Sequence, residues 1–174
     1  MTDSKRYVIT GGPSSGKTTL ISNISKRGYH TCHEAARLLI DKEILEGKSL
    51  EEIRINELEF QRKVLEIKLE LEDKIPRDET VFIDRGIPDS IAYYKFYGFD
   101  LKEILKFCKE KRYKKIFFLE PLPFEKDYAR IENEKQAKKL GELIKKAYLD
   151  LGYDVVTVPR MPIEERVNFV LSNL

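Results

Sequence analysis

The chain has 174 residues, of which 41% are hydrophobic and 36% are charged. This length is typical of one domain with a core of its own, so we expect residues 1–174 to form a single domain. The formal net charge of +2 at pH 7 argues against a general nucleic-acid-binding protein, which needs a concentrated basic face, and we expect no specific nucleic acid as a partner.

A strand and a glycine-rich loop open the predicted fold. Residues 6–10 are expected to form a β-strand, and residues 11–18 then read Gly-Gly-Pro-Ser-Ser-Gly-Lys-Thr, which fits the phosphate-binding pattern G-x-x-x-x-G-K-[ST]. In this pattern the glycines let the backbone approach phosphate oxygens, and the backbone N–H groups point inward. A helix predicted over residues 17–27 directs its positive end at the same place.

The loop predicts a site for Mg-ATP. Lys17 is expected to reach the outer phosphates as a catalytic residue, and the hydroxyl of Thr18 is expected to hold Mg²⁺. The residues expected to bind the nucleotide are Gly11, Gly12, Pro13, Ser14, Ser15, Gly16, Lys17, Thr18 and Thr19. An ordinary glycine-rich turn is the alternative, and the strand, loop and helix context argues against it.

A carboxylate and an arginine follow the second predicted strand, which spans residues 29–32. Glu34 is expected to be a catalytic residue that accepts the proton of a substrate hydroxyl, and Arg37 a substrate-binding residue that orients it. The same two residues also fit an i, i+3 surface pair on the helix predicted over residues 34–46. The sequence leaves these two interpretations open.

A helical insertion is predicted over about residues 49–75. Ser49 and Glu52 have the spacing of a capping box, and no glycine or proline interrupts the chain from there to Lys74. One long helix is therefore expected. It has three interpretations: a coiled-coil arm that pairs copies of the chain into a homo-oligomer, a flap over an acceptor site, or a helix packed on the sheet.

The third predicted strand, residues 80–84, is almost wholly apolar. It ends in an acid and is followed by an arginine. Asp84 is expected at the ligand-binding edge of a parallel sheet, where it would be catalytic, hold Mg²⁺ or contact the acceptor. Arg85 is expected to bind the acceptor or a phosphate through its planar fork. Alternatively, Asp84 caps a helix or forms an ion pair with Arg85.

The remaining elements continue the alternation of helices and strands. Helices are predicted over residues 88–97 and 100–111, the second capped by Asp100 with Glu103, and a strand over 116–119. Prolines then predict an irregular, lid-like segment over about residues 121–135, in which Arg130 is the catalytic cation expected to close over phosphates. A helix over 134–149, a strand over 153–158 and a helix opened by Pro162 complete the chain.

This order of elements predicts an α/β protein. We expect a three-layer sandwich of the P-loop NTPase type, with a mostly parallel sheet of about five strands flanked by helices. Cys32 and Cys108 suggest no disulfide framework, and free thiols favour a cytoplasmic location. No run of residues approaches the length and apolarity of a transmembrane segment.

Several motifs, taken in order, resemble one family. After the phosphate-binding loop come Glu34-Ala-Ala-Arg37, Phe82-Ile-Asp-Arg-Gly-Ile-Pro-Asp89, Leu119-Glu-Pro-Leu-Pro123 and Tyr128-Ala-Arg130-Ile-Glu-Asn-Glu134. Together they resemble the NadR-like, AAA-domain group of small P-loop ATPases and kinases, which is similar in organisation to ribosylnicotinamide kinase and to nucleoside and nucleotide kinases.

The resemblance implies roles for residues of this chain. Asp84 and Arg85 match the acid–arginine pair of such kinases, Glu34 matches the carboxylate after the second strand, and Arg130 matches a lid arginine. Adenylate-type lids usually carry a second arginine. The nearest cations here are Lys138 and Lys139, so the chain departs from that pattern.

These observations predict a kinase that moves the γ-phosphate of Mg-ATP to a small hydroxyl acceptor such as a nucleoside or riboside. The expected cofactors are ATP and Mg²⁺, and the expected partners are a nucleotide triphosphate and a small-molecule acceptor. The alternatives are an NTPase without a separate acceptor and a nucleotide-sensing module without useful chemistry. A GTPase is disfavoured because the sequence lacks an Asn-Lys-x-Asp motif.

Overall fold

A five-stranded parallel sheet lies at the centre of the computed structural model, which describes residues 5–76, 78–109 and 112–174. The strands are β1 (Arg6–Thr10), β2 (His30–Cys32), β3 (Val81–Asp84), β4 (Lys115–Leu119) and β5 (Val155–Val158). Their spatial order is β2-β3-β1-β4-β5, and every pairing is parallel. All carboxyl ends therefore meet at one edge of the sheet, where ligands of α/β proteins bind.

Helices cover both faces of this sheet. In the described ranges they are α1 (Lys17–Lys26), α2 (Ala35–Leu45), α3 (Leu50–Arg54), α4 (Glu57–Asp73), α5 (Ile87–Tyr97), α6 (Lys102–Phe107), α7 (Glu134–Asp150) and α8 (Ile163–Ser172). Because side chains alternate along a strand, Ile9 packs on the side of α1 and α8, whereas Val8 packs on the side of α5 and α7. The predicted three-layer α/β sandwich is confirmed.

The helical insertion differs from the prediction. Ser49 does form the capping box with Glu52, but α3 ends at Arg54 instead of continuing to Lys74. The side chain of Asn56 accepts the N–H of Glu59 at 3.2 Å and caps a separate helix, α4. A single continuous helix is therefore wrong, because asparagine bonds to nearby backbone N–H groups and favours a new cap.

The insertion packs onto the rest of the molecule. α4 contacts α2 on one side and α5 on the other. Its apolar side chains are buried in those contacts, with Phe60 and Val64 against α2 and Leu65 against α5. The described chain thus has no projecting coiled-coil arm, and a homo-oligomer stays a prediction.

Two further predictions are adjusted by the structure. α6 is shorter than the helix predicted over residues 100–111, and Asp100 accepts the N–H of Lys102 at 2.9 Å; Lys111 lies outside the described residues. The segment between β4 and α7 forms no helix or strand, as expected for residues 121–133. Each helix in the described ranges is too short or too polar to cross a lipid bilayer.

Candidate functional site

The loop between β1 and α1 has a backbone that glycine makes possible. Gly11 and Gly16 have φ angles of +151° and +82°. A Cβ atom at Gly11 would lie 2.8 Å from the carbonyl oxygen of Leu119, so a side chain there would collide with β4. Since α1 begins at Lys17, its free N-terminal N–H groups face the concave side of this loop.

Other parts of the chain support this loop from behind. A Cβ atom at Gly12 would lie 2.8 Å from the carbonyl oxygen of Ala137, so the loop rests directly on α7. Arg166 of α8 is 2% exposed and donates to the carbonyl oxygens of Ser15, Glu120 and Pro159 at 2.7, 3.0 and 3.0 Å. These contacts fix the loop in one conformation.

The Lys17 side chain lies back over the loop. Its Nζ donates to the carbonyl oxygen of Gly12 at 2.9 Å and to Ser15 Oγ at 3.1 Å, and the residue is 6% exposed. Burial, followed by the nearby Arg85, lowers the pKa of Lys17 to about 7. Phosphate oxygens at this position would favour the charged form.

Asp84 ends β3 beside Ile9 of β1 and is 5% exposed. Its Oδ1 is buried and has no hydrogen-bond partner among the residues that the structure describes. Burial, followed by the charge of Glu34, raises the pKa of Asp84 to about 7. An unpartnered buried carboxylate oxygen is costly, and hard divalent cations such as Mg²⁺ prefer such oxygens.

The residues that would hold Mg²⁺ fit that ion. Thr18 lies exposed in the first turn of α1. No group of three or more His, Cys, Asp or Glu side chains is arranged to bind a metal within the described ranges. The protein would therefore offer one or two ligands, Thr18 and Asp84, which is what Mg²⁺ needs when phosphate and water complete its shell.

Glu34 and Arg85 meet beside the loop. Arg85 is 5% exposed, has a φ of +63°, and donates from Nε to Glu34 Oε1 at 3.2 Å and from Nη1 to Asp89 Oδ1 at 3.0 Å. Burial alone would raise the pKa of Glu34, but Arg85 and Lys17 hold it below its ordinary value. Glu34 is therefore an ionised carboxylate whose orientation is set by its hydrogen bond from Arg85.

Asp89 holds the guanidinium group of Arg85 in place. It is fully buried, accepts Thr10 Oγ1–H at 2.5 Å and also accepts the hydroxyl of Tyr148. Asp89 ends the Phe82–Asp89 motif, and no role was predicted for it from the sequence. The ion pair considered for Asp84 and Arg85 is replaced by this arrangement, because the Arg85 guanidinium is bonded to Glu34 and Asp89 instead.

The lid-like segment lies over the loop. Arg130 donates from Nη1 to Ser14 Oγ at 2.8 Å, and its Nη2 lies 3.2 Å from Asp127 Oδ2. Ser14 Oγ also donates to the carbonyl oxygen of Glu125 at 2.9 Å. Arg37 pairs with Asp127 at 3.1 Å, so the considered surface pair between Glu34 and Arg37 is not formed.

A cavity of about 430 Å³ joins these parts. The predicted site residues that line it are Pro13, Ser14, Ser15, Gly16, Lys17, Thr18, Thr19, Glu34, Arg37, Arg85 and Arg130. Gly11, Gly12 and Asp84 are not among its lining residues. Lining residues that were not predicted from the sequence include Arg54, Phe60, Gln61, Val64, Lys68, Tyr93 and Glu132.

Two of the missed residues are buried cations. Arg54 donates through both Nε and Nη2 to the carboxylate of Glu57 at 2.8 Å, and its Nη2 lies 3.6 Å from Glu132 Oε1. Lys68 donates to the carbonyl oxygen of Gly86 and to Ser90 Oγ, both at 3.0 Å. In the sequence both cations lie in a highly charged stretch. No local pattern there distinguishes them from charged residues on the solvated surface.

Comparisons with known proteins agree with this architecture. A family model described as an AAA domain matches residues 6–166. Among solved structures, a NadR protein in complex with NR has a TM-score of 0.74 and 18% identity, over 98% of this chain and 50% of that chain. The chain thus spans half the length of that NadR structure. A comparison with curated proteins found no match.

Two complete kinases are also similar. Deoxyadenosine kinase from M. mycoides with bound dATP has a TM-score of 0.66 and 12% identity, over 97% of this chain and 98% of that chain. Shikimate kinase from Acinetobacter baumannii with shikimate has a TM-score of 0.64 and 16% identity, over 99% and 93%. At these identities the likeness establishes the fold, which is that of small P-loop kinases, and the match over residues 6–166 shows that the chain belongs to the AAA-domain family of small P-loop proteins.

Proposed function

We propose that the chain is a kinase that transfers the γ-phosphate of Mg-ATP to a hydroxyl of a small, uncharged acceptor such as a nucleoside or riboside. The observation that carries this proposal is a cavity of about 430 Å³ lined by the phosphate-binding loop, α2, α4 and the lid-like segment. It is in the size range of small-molecule sites and has one wall for a triphosphate and a second wall for another molecule.

The loop side supplies the groups that a nucleotide needs. Lys17 and Arg130 are the cations that would stabilise charge on the transferred phosphoryl group, and Thr18 and Asp84 would hold Mg²⁺. Mg²⁺ held by these residues would supply positive charge that neutralises the phosphates. Of the residues predicted to bind the nucleotide, those from Pro13 to Thr19 line the cavity.

Glu34 supplies a carboxylate for the acceptor hydroxyl. Glu34 is ionised and oriented by Arg85, so it can accept the hydroxyl hydrogen bond and point the acceptor oxygen at the γ-phosphorus. A bond then forms between that oxygen and phosphorus, while the bond to the β-phosphate oxygen breaks and ADP leaves with the electron pair. Glu34 or water takes the proton, and a weak base suffices because the transition state is loose.

The charges of the cavity favour an uncharged acceptor. The guanidinium groups of Arg37, Arg54 and Arg85 each lie against a carboxylate already. An acceptor phosphate or carboxylate needs free guanidinium groups for bidentate binding. A nucleoside, as in the name of the similar deoxyadenosine kinase, is thus favoured over an acid such as shikimate.

Release of ADP from Mg-ATP tests this proposal. We expect the rate to rise at least tenfold with one riboside or nucleoside of a panel that also contains nucleotides, and to be lost in Lys17→Ala. An equal rate across the panel that Lys17→Ala abolishes would identify an NTPase without an acceptor. Binding of ATP without turnover would identify a nucleotide-sensing module.

Four further predictions accompany this function. We propose that residues 1–174 act as one domain and that the insertion over residues 49–75 serves as the acceptor-side flap. Both cysteines in the structure are free, in keeping with a reducing compartment such as the cytoplasm. A homo-oligomer is a separate prediction that sedimentation of the purified chain would test.

A further inference from the structure

One lid carboxylate holds two arginines that come from different sides of the cavity. Asp127 Oδ2 lies 3.1 Å from Arg37 Nη2 and 3.2 Å from Arg130 Nη2. Its other oxygen, Oδ1, accepts the backbone N–H of Ala129 at 3.0 Å, which fixes the direction of the carboxylate. The two guanidinium groups therefore share one oxygen and cannot shift independently.

The two arginines belong to the two halves of the proposed reaction. Arg37 is in the first turn of α2, three residues after Glu34. Arg130 is bonded to Ser14 of the phosphate-binding loop. Asp127 is thus a direct link between the helix that presents the acceptor carboxylate and the loop that receives the nucleotide.

A neighbouring contact strengthens the link to α2. The guanidinium carbon of Arg37 lies 5.3 Å from the centroid of the Tyr128 ring, and Tyr128 donates its hydroxyl to Asp41 Oδ1 at 2.5 Å. Asp127 and Tyr128 therefore dock side by side on two successive turns of α2. The lid-like segment therefore contacts that helix through two neighbouring side chains.

The charge of Asp127 is what allows this arrangement. Burial acts to raise the pKa of Asp127, but the Ala129 N–H, Arg37 and Arg130 hold it below its ordinary value. The carboxylate is ionised at neutral pH and separates two cations that would otherwise repel each other. An amide at this position would fill the same space without this charge.

We propose that Asp127 is a positioning residue that couples nucleotide binding at the loop to the order of α2. A nucleotide that engages Arg130 fixes the lid segment, and Asp127 then fixes Arg37 and the first turn of α2. The proposal rests on the proposed function for its purpose, since Glu34 begins that turn. The coupling itself is a property of binding and does not depend on turnover.

A double-mutant cycle with Mg–AMP-PNP on the full chain tests the coupling. We expect Arg37→Gln to weaken AMP-PNP binding about fivefold in the wild-type background and less than about twofold in Asp127→Asn, as measured by calorimetry. An equal fold-change in both backgrounds would overturn the proposal, because the two residues would then act independently.

Hydrogen exchange supplies a second readout that a merely structural role would not move. We expect AMP-PNP to protect the amides of both the loop and α2 in the wild-type chain, and of the loop alone in Asp127→Asn. Asp127→Glu should restore part of the protection of α2. Protection of α2 that persists in Asp127→Asn would contradict the proposal.

A matched control is available next to the lid. Glu134 is exposed at the start of α7, and its carboxylate makes no ion pair with any residue that the structure describes. Glu134→Gln should behave as wild type in both measurements. If the wild-type chain shows the coupling but no acceptor stimulates ADP release, the kinase proposal fails and this one stands. If it does not bind AMP-PNP, both fail.

Discussion

Arg85 donates from Nε to Glu34 Oε1 across 3.2 Å and so joins the end of β3 to the start of α2. Arg85 adopts a left-handed backbone conformation, with a φ of +63°, to make this contact. Non-glycine residues seldom adopt it, and such strain persists where the surroundings fix it, most often at functional sites. Here Asp89 accepts a hydrogen bond from the guanidinium group, and the carboxylate of Glu34 is held in the lining of the cavity.

Removing the charge of Glu34 should affect acceptor chemistry and spare nucleotide binding. In Glu34→Gln the amide keeps the size of the side chain but cannot take a proton, so we expect acceptor-dependent ADP release to fall about 100-fold. The affinity for AMP-PNP should stay within about twofold of wild type, as measured by calorimetry. Equal losses of turnover and nucleotide affinity would instead place Glu34 on the nucleotide side.

The binding of Mg-ATP should be strongest near pH 7. Lys17 has a pKa lowered to about 7, so above that pH the free protein must take up a proton to bind phosphate. Asp84 has a pKa raised to about 7, so below that pH a proton must leave before Mg²⁺ binds. Affinity should therefore decline on both sides, by up to about tenfold per pH unit.

Calorimetric titrations with Mg–AMP-PNP between pH 5.5 and pH 9 would measure this dependence. Asp84→Asn should remove the decline on the acid side and leave the decline on the alkaline side. A profile that is flat between pH 6 and pH 8 would show that neither group changes its protonation on binding.

Asp84→Asn should also stabilise the protein above pH 7. The pKa of Asp84 is raised from its ordinary value of 3.8 to about 7, so the folded state disfavours the charged form. The free energy of unfolding is then lowered progressively as the pH rises from about 4 to about 7, and asparagine removes this loss. We expect a gain of about 1–3 kcal/mol at pH 8.

Urea denaturation at pH 8 and at pH 4 would test this gain. It should be largest at pH 8 and nearly absent at pH 4, where the folded carboxyl group is protonated and the unfolded one is only partly ionised. A variant that is less stable than wild type at pH 8 would mean that the ionised carboxylate is satisfied in the folded protein.

The sheet and the phosphate-binding loop could be predicted because their signals are local. Residues 11–18 match a contiguous pattern, and the strand that ends at Asp84 is recognisable from its apolar run. The break at Asn56 is local as well, but a stretch without glycine or proline masked it. Composition and periodicity therefore indicate the fold, while a single capping side chain decides where one helix becomes two.

The part of the cavity formed by α2, α4 and the lid-like segment could not be predicted, since contacts there join distant parts of the chain. Arg37 meets Asp127 across 90 positions, and Lys68 meets Ser90 across 22. In sequence, Arg37 has a carboxylate three residues away that fits a local pair equally well. The choice between these partners is made by the packing of the lid on α2, which no local pattern records.

Arg166 should be essential for the conformation of the phosphate-binding loop, although it lies 151 positions from Ser15. Its guanidinium group is the donor for three carbonyl oxygens, those of Ser15, Glu120 and Pro159. In Arg166→Ala these oxygens lose that donor and a cavity replaces the side chain, so we expect the free energy of unfolding to fall by about 2–4 kcal/mol. AMP-PNP affinity should fall about tenfold under conditions where the variant is folded.

Arg160→Ala is the matched control, because Arg160 is exposed and its contact with Glu120 is made by the backbone N–H, which the substitution keeps. We expect the control to change stability by less than about 0.5 kcal/mol. Urea denaturation followed by calorimetry would measure both quantities, and a loss of stability without a loss of AMP-PNP affinity would show that the loop holds its shape without Arg166.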